Sequence, residues 1–252
     1  PGDRPNNWFG IYRRDGSQGF KFFVHDFEHT LMSLTEDRTG TFAAGNPGTG
    51  GGLLKSSPQY LWQRLQQNSN FVMRVADRIH LHFFNGGVLT PESALARFKA
   101  RTNEIHRALV AESARWGDAQ RPTPYTRDAS WMPLIDNLQT NYFPQRTAIV
   151  LNQLRNRKLY PDVAAPSFNQ HGGTVPDGFE LSISAPAGTI YFTQNGSDPR
   201  LPDNSISPNA LVYSTPLQLT EHCTVKARVF SGGIWSALNE ASFTIHRDFE
   251  DV

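Results

Sequence analysis

Gly19 to Leu31 reads GFKFFVHDFEHTL, and its alternation sets the first element. Phe20, Phe22 and Val24 fall at period two, while Lys21, Phe23 and His25 occupy the opposite positions. Apolar side chains on both faces predict a strand buried on both sides. The run then delivers Asp26 and Glu28, which share a face if the extended backbone continues. Two carboxylates at the end of a buried strand need compensation, because an unpaired buried charge is costly. A divalent cation, an arginine or backbone N–H groups would supply it. Either residue could instead cap whatever element follows.

Upstream, Trp8 to Tyr12 reads as the partner strand. Arg13 to Ser17 is the turn, with Asp15-Gly16 its strongest signal. Such a hairpin joins its open ends, so Asp3, Asn6 and Asn7 are expected close to Asp26 and Glu28. Downstream, Thr39 to Gly52 holds six glycines. Leu54, not glycine, precedes Lys55-Ser56, so the phosphate-cradling pattern fails and a surface loop is expected.

Helical periodicity follows. Ser57 and Pro58 open a helix to about Gln67. Ser69 opens the next, with Val72, Val75, Ala76, Ile79 and Phe83 on one stripe, and Gly86-Gly87 ends it. His80 and His82 lie two apart on that helix, so they cannot chelate one metal together, and at least one is expected in the core or at its boundary. Thr90-Pro91 caps a longer helix with a stripe of Leu95, Phe98, Thr102, Ile105, Leu109 and Trp116. Asp128 is the expected cap of a short helix carrying Trp131, Leu134 and Leu138. A last helix, about Pro144 to Arg157, would bury Ile149, Val150 and Leu154.

At Tyr160 to Pro166 the pattern changes to short strands. Leu181 and Ile183 point inward from one, and Thr189 to Thr193 is another. Asn195 to Pro199 is a dense turn. Cys223, Val225, Ala227 and Val229 alternate with Thr224, Lys226 and Arg228, and Ala241 to Ile245 is the final strand. The expected fold is α+β: a mostly helical region with an N-terminal hairpin over 1–162, then a small all-β, immunoglobulin-like sandwich over 163–252.

With 24 basic against 23 acidic residues, the net charge of +1 favours neither nucleic acid nor an anionic membrane as partner. One cysteine, Cys223, excludes an intramolecular disulfide framework and a cysteine zinc site. No apolar run approaches the roughly 20 residues of a membrane-spanning helix. The opening PGDRPNNW, without a lead-in, is expected to come from the interior of a longer protein.

Whole phrases of residues 1–160 resemble the C-terminal part of the CotH family, spore-coat-protein-H-like atypical kinases of bacterial surface and secreted proteins. They are Asp3-Arg4 with Asn7-Trp8, Val24 to Leu31, Arg74 to His80, His82 to Gly87, and Glu112 to Asp118. The β region, above all Tyr191 to Pro199, resembles the immunoglobulin-like domain at the C-terminus of chitobiase and β-hexosaminidase. The first resemblance implies a kinase-like lobe that transfers phosphate from Mg–ATP to Ser or Thr of exported proteins, outside the cell or at its surface. It implies Asp3 as the catalytic residue that orients or deprotonates the acceptor hydroxyl. It implies Asp26 as the ligand that holds Mg²⁺ against the phosphates, with Asn7 and Glu28 as further ligands. Trp8 stands five residues after Asp3, where the general kinase spacing has Asn. A loop over the phosphates and a lysine to pair them are expected upstream of Pro1, so residues 1–252 alone are expected to be inactive. The alternative is a non-catalytic surface module that contacts a cell-surface polymer such as a carbohydrate, with Trp235 and Tyr213 as candidate contact residues; the competing expectation for both is packing in the core or against the helical domain. A glycosidase using Asp26 and Glu28 is a third reading: carboxyls two apart on a strand lie roughly 6–7 Å apart, which overlaps catalytic separations.

Overall fold

The computed structural model describes residues 8–25, 30–40, 58–119 and 121–247. The fold is α+β. In chain order come β1 (Trp8–Ile11), β2 (Lys21–Val24), α1 (Pro58–Leu65), α2 (Ser69–Phe83), α3 (Pro91–Ile105) and α4 (Ala108–Trp116). A helical run follows in which π-type turns, Arg127–Trp131 and Leu138–Tyr142, flank α5 (Met132–Asn137) and lead into α6 (Phe143–Asn156). Then come β3 (Ser167–Phe168), β4 (Gly173–Pro176), β5 (Phe179–Leu181), β6 (Ile183–Ser184), β7 (Thr189–Thr193), β8 (Leu211–Val212), β9 (Leu217–Leu219), β10 (Cys223–Ser231), β11 (Ile234–Trp235) and β12 (Asn239–His246). The chain forms two compact units, one from Pro1–Ser69 with Pro91–Gln153, the other from Asn70–Thr90 with Leu154–Val252. Residue 163 falls inside the second unit, which also takes in nearly all of α2.

In the first unit β1 and β2 pair antiparallel, with Trp8 opposite Val24 and Ile11 opposite Lys21. The turn is closed by the Gly16 N–H on the Arg13 carbonyl. The expectation of two-sided burial fails: Phe20, Phe22, Phe23 and Val24 are 64, 43, 42 and 66 % exposed. Their rings meet one another across the hairpin, Phe9 on Phe23 and Tyr12 on Phe20. Two strands cannot cover their own faces, and among the described residues no further layer does so.

The single long helix expected after Pro91 is two helices, parted at His106 and Arg107. There the His106 ring donates to the Asn103 carbonyl, the acceptor that the next turn's N–H would use. Thr126, not Asp128, caps the later helical run, its hydroxyl accepting from the Ala129 N–H. Asp128 pairs with Arg127 at the surface instead. Pro133 is the second residue of α5, within its first turn. On α6 the buried residue is Leu151, while Ile149, Val150 and Leu154 are half-buried. Arg146 of α6 ties down residues 34–36 by donating to the carbonyls of Leu34 and Glu36.

In the second unit the main sheet runs β4-β12-β10-β7-β8, with β11 attached to β10 and β4 parallel to β12. The short pairs β3–β6 and β5–β9 form the facing layer. Alternation places Phe192, Val225, Ala227, Ala241, Phe243 and Ile245 inward, where they meet Leu181, Ile183 and Leu219 of the short pairs. Burying each Leu, Ile or Phe contributes about 1.5–3 kcal/mol, and these few strands share one apolar core. On the opposite face of β10, Arg228 meets Met73 and Asp77 of α2.

Candidate functional site

The four residues predicted for magnesium and phosphoryl chemistry, Asp3, Asn7, Asp26 and Glu28, lie outside the described residues. The described residues beside two of them in sequence, Trp8 and His25, stand at one end of the hairpin, where Trp8 pairs with Val24. Lys55 also lies outside. Among the described residues, no group of three or more His, Cys, Asp or Glu is arranged to hold a metal ion, and no helix is long and apolar enough to cross a membrane.

The densest polar arrangement in the described chain lies where α2 meets the sheet within the second unit. Arg228 sits mid-strand in β10 on the polar side of the alternation, yet it is 1 % exposed. Its Nη1 and Nη2 donate to the two carboxylate oxygens of Asp77 at 2.8 Å each. Its Nε and Nη2 donate to Asp198 at 2.7 and 2.6 Å. Nη1 also donates to the Ser236 carbonyl at 2.9 Å. All five N–H groups of the guanidinium are thereby used. Burial works against the charge, but the hydrogen bonds to Asp198 and Asp77 outweigh it and hold Arg228 protonated more firmly than usual. Burial likewise pushes the Asp198 carboxyl up. The Arg228 hydrogen bond and charge, with the Arg200 N–H, overcome this and leave it below the usual carboxylate range.

The local sequence explains how the parts arrive. Asn70, Met73 and Asp77 follow the three-four spacing of one helical face. Arg200 donates to Asn70 Oδ1, Arg228 meets Met73 and Asp77, and the Leu238 N–H donates to Asp77. Asp198 comes from the turn Asn195 to Pro199, which is tightened by the Ser197 N–H on Asn195 Oδ1 and by Thr193 Oγ1 donating to the Ser197 carbonyl.

Next to this knot, His80 is the core histidine and His82 lies nearer the surface. His80 Nδ1 lies 2.9 Å from the Tyr160 hydroxyl, and its ring stacks on Phe84 at 4.5 Å. Its Nε2 is buried with no hydrogen-bond partner. Burial first, and the charges of His171 and Arg228 after it, lower the His80 pKa to about 4. Burial and the Asp77 charge push Tyr160 up to about 12, against the opposing charge of Arg155. Neither group is poised for proton transfer near neutrality. Asn239 Oδ1 accepts from Asn85 and from His171, and its amide donates to the Pro166 carbonyl. His80, Asn85, His171 and Asn239 line an open cleft of about 870 Å³, with Arg74, Arg78 and Asn209 at its wall.

Of the two readings of Trp235 and Tyr213, carbohydrate contact or packing in the core, the structure shows packing. Trp235 is 2 % exposed and its Nε1 donates to the Asn204 carbonyl. Tyr213 is half-buried and its hydroxyl accepts from the Ile183 N–H.

Residues 179–240 match the family model described as Fn3 associated. That portion is similar to an Fn3-associated domain. The match runs from the start of β5 to the start of β12, so it holds Asp198, Arg200 and Arg228 but not Asp77. No curated protein and no solved structure matches the chain.

Alternation placed Arg228 on the outer face of its strand, but nothing in the sequence marked it as buried or paired it with Asp77.

Proposed function

We propose that the chain is part of a CotH-like phosphotransferase that moves the γ-phosphoryl group of Mg–ATP to Ser or Thr of exported proteins, and that its C-terminal sandwich is a non-catalytic structural module. In this reading Asp3 orients the acceptor hydroxyl, and Asp26, Asn7 and Glu28 hold the magnesium ion. The resemblance of the phrases around these residues supports the phosphotransfer part. The hairpin register, which pairs Trp8 with Val24, agrees with it.

The observation that carries the structural role of the sandwich is the closed set of bonds on Arg228. A guanidinium with all five donors committed to two carboxylates and a carbonyl has none left for a substrate. The helix it holds contains the phrase Arg74 to His80, so the sandwich acts as a buttress for α2. The test is label transfer from γ-labelled ATP to protein, in the presence of magnesium, by the protein as it occurs in the cell. Transfer is expected, and Asp26→Ala and Asp3→Asn should each abolish it. Absence of transfer, or transfer indifferent to Asp26→Ala, would overturn the phosphotransferase reading.

A further inference from the structure

The cleft beside α2 carries an imbalance of charge that the buttress role does not use. Among the residues that line it are Arg74, Arg78, Arg200, Lys226 and Arg228 against Asp77, Asp198 and Glu240. Lys226 is matched by Glu240 at 3.1 Å. Arg228 binds both aspartates, and Arg200, whose head is held by Asn70 and Asn204, supplies the second positive charge that balances them. The surplus is therefore Arg74 and Arg78. They stand four apart on α2, one turn from each other on the same side, and both are exposed. Arg74 makes no hydrogen bond or ion pair among the described residues, and Arg78 gives one N–H to His82 Nε2 at 3.3 Å.

We infer that Arg74 and Arg78 form a binding site for a phosphomonoester. Two planar guanidinium forks one turn apart suit a dianionic oxyanion, which takes paired N–H···O bonds from each. A bare phosphate would fill little of a cleft of about 870 Å³, so the oxyanion belongs to a larger molecule. Its body would lie against Asn209, Asn85 and His171, which offer polar contacts to hydroxyl or amide groups. The wall also holds the unpartnered imidazole nitrogen of His80. The inference does not rest on phosphoryl transfer, since neither arginine belongs to the proposed magnesium site.

The experiment is a titration of the whole chain, followed by backbone amide shifts, with phosphoserine, a hexose phosphate, inorganic phosphate and methyl sulfate. Saturable shifts are expected at residues 74–78 with phosphoserine or the hexose phosphate, and the tighter of the two identifies the carrier. Methyl sulfate, a monoanion of similar shape, should bind at least about tenfold more weakly. Each of Arg74→Ala and Arg78→Ala should cost on the order of tenfold in affinity. The double variant should show no saturable response, whereas Arg101→Ala with Arg107→Ala, which removes the same net charge from another helical surface, should bind as the parent does. Both arginines are exposed, so the variants keep the fold, and unchanged amide shifts elsewhere will verify it. No saturable response to any phosphomonoester, equal binding of methyl sulfate, or shifts that persist in the R74A/R78A double variant would overturn the inference.

Discussion

Replacing Arg228 by methionine removes the cation on which two carboxylates depend. Methionine fills much of the same space, so the packing loss is small and the electrostatic loss dominates. Asp77 and Asp198 have side chains only 21 and 36 % exposed. Without Arg228, Asp77 keeps the Leu238 N–H and Asp198 keeps the Arg200 N–H, but the two like charges now face one another. Breaking a buried ion pair by removing one partner costs about 3–5 kcal/mol. For a unit of this size that lowers the melting temperature by roughly 10–20 °C. Urea unfolding at neutral pH measures the loss directly. The decisive companion is the triple variant Arg228→Met, Asp77→Asn, Asp198→Asn, which removes the stranded charges and should recover most of it. If Arg228→Met costs less than about 1 kcal/mol, or the double-mutant cycle between positions 77 and 228 gives no coupling, the knot is not what holds α2 to the sheet.

Acid should weaken the second unit before its carboxylates titrate. His80 has a folded pKa of about 4 against 6.5 when free, so the unfolded chain binds the proton first and stability falls as pH drops from about 6.5 to about 4. At about 1.4 kcal/mol per unit the loss approaches about 3 kcal/mol, and His80→Phe should flatten that limb of a urea-midpoint-against-pH curve. Asp198, with its lowered pKa, adds stability that is present above the ordinary carboxylate range and disappears as pH falls through its depressed value. An Asp198→Asn variant should therefore be less stable at neutral pH and lose less on further acidification. Gly188→Ala should cost about 1–3 kcal/mol by thermal melting, because φ there is +89° and a Cβ would lie 2.7 Å from Val229 Cγ1. Trp235→Phe should cost about 1–2 kcal/mol by the same measure, since the Asn204 carbonyl loses the indole N–H.

Local order was legible in the residues themselves. The alternation of Cys223 to Phe230 named the inward set Val225, Ala227 and Val229, all of which are buried. Ser69 and Gly86-Gly87 bracketed α2, and Asp15-Gly16 marked the hairpin turn. The proposed magnesium ligands lie outside the described residues, while the arginine pair at the cleft left no motif to find. Tertiary structure alone decided that Phe20, Phe22 and Val24 face solvent, that residues 70–90 join the sandwich, and that a strand arginine 151 residues from its aspartate is the centre of the second unit. The division has a physical cause. Periodicity reports which side chains share a face, because backbone geometry repeats every 2 or 3.6 residues. What that face meets depends on chain segments far away in sequence, and burial, pairing and pKa all follow from that meeting.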